Sequence, residues 1–149
     1  MVLIRILALC LAAIGMCSGQ GSSTVRWQFS AQRVSPHEDI LMLKASVLPG
    51  WHLYSQHLPE GGPAPTRITF DAMEGYQLKD TTAEKGEAVT FYDKTYEMEI
   101  TWYSGSVTFL QRVLVDHRPI SIRGRIEYMT CNTQVCQVFR QPFVIALPN

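Results

Sequence analysis

The sequence predicts an all-β sandwich, and three observations carry that prediction. Apolar and polar residues alternate with period two through most of the chain after residue 20, no stretch sustains a 3.6-residue period, and Pro, Gly or Asp signals interrupt the alternation at short intervals. Seven or eight short strands joined by hairpin-length links is the pattern of an immunoglobulin-like β-sandwich. At 149 residues the chain is long enough for one sizeable core and short for two.

The elements follow in order. Strands are predicted at about 24–33, 39–48 and 66–71, each bounded by turn residues. "PEGGPAPT", residues 59–66, is a kinked, rigid loop, because Pro and Gly together exclude both ladder and helix. "KDTTAEKGEAV", residues 79–89, is polar and turn-rich, and is predicted to be an exposed loop ending at Phe91 and Tyr92. In "TYEMEITWY" the residues Tyr96, Met98, Ile100 and Trp102 share one face, with Glu97, Glu99, Thr101 and Tyr103 on the other. "SVTFLQRVLV" follows, so residues 94–115 are predicted to form a hairpin with a Ser-Gly-Ser tip. "PISIRGRIEYMTC" alternates with Ile120, Ile122, Ile126 and Tyr128 inward, and a last strand is predicted at 138–147.

The 13 basic and 13 acidic residues balance, so no net field gathers nucleic acid or an anionic membrane, and no nucleic-acid partner is expected. Arg5, the apolar run from Ile6 to Met16 and the small residues Cys17 and Gly19 have the form of a secretory signal, with residues 20–149 left as the mature domain. That run is too short to span a bilayer, so a soluble, exported protein without stable membrane insertion is expected. A lipid anchor on Cys17 is the weaker alternative, since Met16 is not the small residue such processing prefers.

Removal of the signal leaves Cys131 and Cys136, an even pair in an oxidising compartment. Five steps of extended chain would hold their α-carbons about 17 Å apart, whereas a disulfide needs roughly 4.4 to 6.8 Å. "NTQV" between them must therefore reverse the chain. Closing so short a loop stabilises a fold by only about 2 kcal/mol, yet inert hairpin bridges exist, so spacing alone leaves staple and reagent both open. A zinc site would have to recruit His52 and His57 and lacks a second closely spaced pair, so no metal is expected. The sequence contains no nucleophile elbow and no phosphate loop, and no cofactor is expected.

"LPGWHLYSQ" (48–56), "TFYDKTYEM" (90–98) and "YMTCNTQVCQ" (128–137), in this order, resemble the amino-terminal periplasmic domain of the thiol:disulfide interchange protein DsbD over about residues 25–147. The resemblance implies an immunoglobulin-like sandwich in which Cys131 and Cys136 are an exchanging pair. Electrons would come from a thioredoxin-like protein and pass to oxidised extracytoplasmic proteins, with Cys136 forming the mixed disulfide and Cys131 resolving it. It further implies that Phe91 and Tyr92 form an aromatic lid over the disulfide, that Tyr54 lies near it, and that His52 stands where some members carry another aromatic. Val89 and Thr90 replace an acidic pair found in some members, and Gln137 and Val138 replace a proline-bearing continuation. The sequence ends at Asn149 with neither a membrane conduit nor a thioredoxin-like domain, so a stand-alone version is expected to obtain electrons from a separate protein or to act in a different pathway. The competing class is a non-catalytic exported binding module with a structural hairpin bridge.

Overall fold

Eight antiparallel strands account for the regular structure in the computed structural model, which describes residues 23–149. The predicted signal segment lies outside the described residues. The strands are β1 (Val25–Ser35), β2 (Glu38–Val47), β3 (His52–Tyr54), β4 (Arg67–Phe70), β5 (Tyr76–Asp93), β6 (Met98–Val115), β7 (Ile120–Cys131) and β8 (Cys136–Leu147). They form one hydrogen-bonded sheet in the order β1-β2-β6-β3-β7-β4, with β5 added to β6 and β8 to β7. The sheet curls so that β1, β2, β5 and β6 pack over β4, β7 and β8. Trp27 and Phe29 of β1 thus meet Tyr128 of β7 and Phe143 of β8, with ring centroids 5.4 and 5.5 Å apart. This is the immunoglobulin-like architecture that the alternation predicts.

The core follows from that alternation. Leu41, Leu43, Ala45 and Val47 of β2, Val107, Phe109, Val113 and Val115 of β6, and Ile120, Ile122, Ile126 and Tyr128 of β7 are all buried at period two. Gly124 interrupts the β7 row because any side chain there would strike the Thr69 carbonyl and the Phe143 ring.

Two sequence expectations are corrected. The polar stretch 79–89 is part of the 18-residue strand β5, paired along β6. It carries no hydrophobic period because it is an edge strand with few buried residues, and its register shifts between Lys79 and Ala83. The buried Gln111 satisfies that irregularity: its amide donates to the carbonyls of Lys79 (3.0 Å) and Asp80 (3.3 Å) and accepts from Thr82 Oγ1 (2.7 Å). Nor does the chain turn at Ser-Gly-Ser. β6 runs through Ser104–Ser106, which fall within a second register shift, and the reversal lies at 94–97. Tyr103, on the face of Glu97, Glu99 and Thr101 by alternation, is buried in the core, since β6 is covered on both faces where it passes β3.

The three-residue strand β3 joins the two halves. Leu53 pairs with Tyr103 of β6 and with Thr130 of β7, and its side chain enters the core. His52 and Tyr54 therefore face the other way.

Candidate functional site

The hairpin between β7 and β8 brings the two cysteines opposite each other. Asn132 makes the reversal: its side-chain oxygen accepts from the backbone N–H groups of Gln134 and Val135, both at 2.8 Å, while its own N–H donates to the Val135 carbonyl at 3.0 Å. Cys131 and Cys136 become a cross-strand pair with α-carbons 4.1 Å apart, joined as a disulfide.

The two sulfur-bearing residues differ in environment. Cys131 is 3% exposed and Cys136 is exposed. Cys131 belongs to a second apolar cluster, separate from the main core, with Tyr54 and Ile100 buried beside it and Leu58, Phe91, Met98, Trp102 and Met129 packed around them. The even residues of early β6 and the odd residues Met129 and Cys131 of β7 point here, so the cluster lies on the reverse of the core face.

Within it a polar line runs to the sulfur. Tyr54 Oη donates to Cys131 Sγ at 3.5 Å, and His52 Nε2 lies 3.2 Å from the same hydroxyl. The His52 ring stacks on Trp102 with centroids 3.8 Å apart, and Phe91 lies against the same indole at 4.4 Å. Burial, reinforced by Tyr96 and Asp93, pushes the Tyr54 phenol up to about 12, so it remains a donor at neutral pH. Burial lowers the His52 imidazole from 6.5. Its neutral form is thereby favoured by folding, a contribution to stability that is complete above about pH 6.5 and is lost as pH falls through the folded value.

β3 is too short to hold Tyr54 by itself. Thr66 Oγ1 donates to the Tyr54 carbonyl at 2.6 Å, and the next residues are held by Glu84 of β5. That carboxylate accepts from Ser55 Oγ (2.7 Å), the Gln56 N–H (2.6 Å) and Tyr103 Oη (2.6 Å). Burial first, and then Glu84, push the Tyr103 phenol well above its usual range. Arg140, the fixed positive charge nearest the pair in sequence, is occupied by Glu127, with Nε and Nη2 at 3.0 and 2.5 Å from one oxygen. Among the described residues no group of three or more His, Cys, Asp or Glu could hold a metal ion.

Of the residues singled out from sequence, Cys131, Tyr54 and Phe91 share one cluster, Cys136 is bonded to it and His52 borders it. Tyr92 turns to solvent, 61% exposed, as the neighbour of Phe91 on a strand must. Trp102 and Glu84 were not singled out. Trp102 could have been, since the alternation already puts it on the face of Ile100. Glu84 had no such signal, because it stands in a polar run of an edge strand.

A family model described as the N-terminal part of the thiol:disulfide interchange protein DsbD matches residues 22–148. Among solved structures, the chain resembles the N-terminal domain of DsbD from Neisseria meningitidis in its reduced form, at 12% identity and a TM-score of 0.55, over 85% of this chain and 87% of that one. It also resembles the N-terminal periplasmic domain of ScsB from Proteus mirabilis, at 18% identity and a TM-score of 0.53, over 80% of this chain. The chain spans less than half, 44%, of the ScsB domain. At such identities these two likenesses speak for the fold alone. No curated protein sequence matches the chain.

Proposed function

Because the chain belongs to the family of the N-terminal domain of the thiol:disulfide interchange protein DsbD, we propose that it is an extracytoplasmic thiol-disulfide exchange module. In this reading Cys131–Cys136 takes electrons from a thioredoxin-like dithiol and passes them to oxidised extracytoplasmic proteins. The periplasm is the compartment proposed, on the strength of the family and the signal-like residues 1–19. No helix among the described residues is long and apolar enough to cross a membrane.

One observation carries the reading: the disulfide is divided between an exposed residue, Cys136, and a buried one, Cys131, that receives a hydroxyl hydrogen bond. A staple has no use for that asymmetry, whereas exchange does. The partner's thiolate attacks Cys136 Sγ in line with the S–S bond, a partner–Cys136 disulfide forms, and the electron pair of the broken bond leaves on Cys131 Sγ. Tyr54 Oη donates to the developing thiolate. The partner's second thiolate then attacks its own sulfur in the mixed disulfide, releasing Cys136 and leaving this protein as the dithiol. With an oxidised substrate the order reverses: Cys136 thiolate attacks the substrate disulfide, and Cys131 resolves the adduct.

Redox titration in thiol buffers tests this directly. The bridge is expected to equilibrate above about −300 mV, whereas a structural bridge resists reduction to below that value. The second outcome would return the chain to a binding module with a hairpin staple.

Phe91, packed on Trp102 within the cluster, is assigned the role of shield against stray thiols, with Tyr92 on the exposed side of the same strand. Phe91→Ala is expected to speed reduction by a small monothiol, at a stability cost of about 1 to 2 kcal/mol because the ring is only half-buried. A loss of about 3 to 5 kcal/mol with an unchanged reduction rate in the folded fraction would make Phe91 a core residue instead.

A further inference from the structure

We infer that His52 is a positioning residue for the exchange: by donating its Nε2–H to Tyr54 Oη, it commits the single phenolic proton of Tyr54 to Cys131 Sγ. The inference rests on the exchange reading, in which Cys131 is the sulfur released when Cys136 is attacked.

Proton counting carries the argument. Tyr54 Oη has one hydrogen and two partners, Cys131 Sγ at 3.5 Å and His52 Nε2 at 3.2 Å. It can donate to only one of them. If the imidazole carried its proton on Nδ1, the bare Nε2 would be the better acceptor and would draw the phenolic hydrogen away from sulfur. Both contacts are satisfied together only when Nε2 is the donor. The Tyr54 hydrogen then points at the atom that becomes a thiolate, and the two bonds polarise each other in the same direction.

The surroundings suit that arrangement. Trp102 of β6 offers an uncharged stacking face that holds the imidazole plane. Cys131 lies directly across from His52 in the pairing of β3 with β7. From the end of β5 and the turn that follows it, Asp93 and Tyr96 bear on Tyr54. The Asp93 carboxylate is engaged there by the N–H groups of Thr95 and Tyr96, at 2.7 and 3.1 Å. As pH falls and His52 gains its second proton, the imidazolium can only donate, so the phenolic proton has no destination but sulfur.

The test is the rate at which a small dithiol reduces the oxidised domain, followed by acid quench, alkylation and intact mass, for wild type, His52→Phe, Tyr54→Phe and the double variant. Phe at position 52 keeps a ring on Trp102 and removes the donor. Tyr54→Phe is expected to slow reduction about tenfold and His52→Phe about threefold, as befits a direct and an indirect hydrogen bond to a charged leaving atom. The double variant should be no slower than Tyr54→Phe alone, because His52 acts only through that hydroxyl. Independent, multiplying effects, or no effect of His52→Phe, would overturn the inference. Should His52→Phe fail to fold, the nitrogen-15 resonances of the wild-type imidazole in its neutral form decide: the hydrogen is expected on Nε2, and a hydrogen on Nδ1 overturns the assignment. A wild-type bridge that no dithiol reduces would instead defeat the exchange reading from which the inference starts.

Discussion

With Cys131→Ser, the remaining Cys136 thiolate is expected to displace thionitrobenzoate from a thioredoxin-like partner that keeps only its attacking cysteine, activated as its thionitrobenzoate mixed disulfide, and so to form a stable mixed disulfide, while Cys136→Ser captures at least about tenfold less. The difference follows from position. Cys136 opens β8 as an exposed residue, whereas Cys131 sits 3% exposed among Tyr54, Ile100 and the rings around them. A partner's thiolate must approach along the S–S axis, and only the Cys136 end is open to a second protein. With neither Cys131 nor the partner's second cysteine present, nothing resolves the adduct, so it accumulates. Both variants should remain folded, since the six-residue loop makes the bridge worth only about 2 kcal/mol of a typical 5 to 15. Non-reducing electrophoresis with alkylation of free thiols checks this. Equal capture by both variants would remove the assignment of Cys136 but keep exchange. Capture by neither, across several exported thioredoxin-like proteins, would leave the bridge a staple.

Glu84→Ala is expected to cost about 3 kcal/mol, where a change in an exposed loop would stay within about 0.5. The carboxylate accepts hydrogen bonds from Ser55, Gln56 and Tyr103. Its removal strands the Gln56 N–H and two hydroxyls, one of them on a tyrosine that is 5% exposed. Glu84→Gln, which keeps an acceptor of the same length, should recover about half of the loss. Chemical denaturation measures both, and a cost below about 0.5 kcal/mol for Glu84→Ala would mean that the carboxylate anchors nothing. The consequence reaches function through Ser55, the residue after Tyr54. Loosening that segment should also slow reduction of the disulfide, to a degree no greater than loss of the Tyr54 hydroxyl itself.

Much of this molecule was legible from residue order. Period-two alternation marks β1, β2, β4, β7 and β8, because a half-buried strand must present apolar side chains to one face only. The cysteine spacing required a reversal on distance alone, and Asn132 supplies it. β5 stayed hidden. An edge strand that buries little apolar area leaves no periodic trace, and the residue that completes its irregular backbone, Gln111, comes from the neighbouring strand about thirty positions away. Ser104–Ser106 look like a turn because small residues serve turns and bulges equally, and only the pairing of β6 on both edges tells which.

The sequence by itself determined that the chain is all-β, which residues line its core, and that Cys131 and Cys136 lie on either side of a chain reversal. Tertiary structure alone decided which sulfur is sheltered. β3 bridges the two halves of the sheet, and its alternation sends Leu53 inward and His52 and Tyr54 to the reverse face, where β6 delivers Ile100 and Trp102 and β7 delivers Met129 and Cys131. No local pattern encodes that meeting, because its members are separated by tens of residues and become neighbours only through strand pairing. The difference between the two cysteines is a property of the cluster around one of them, which exists only once the sheet has closed.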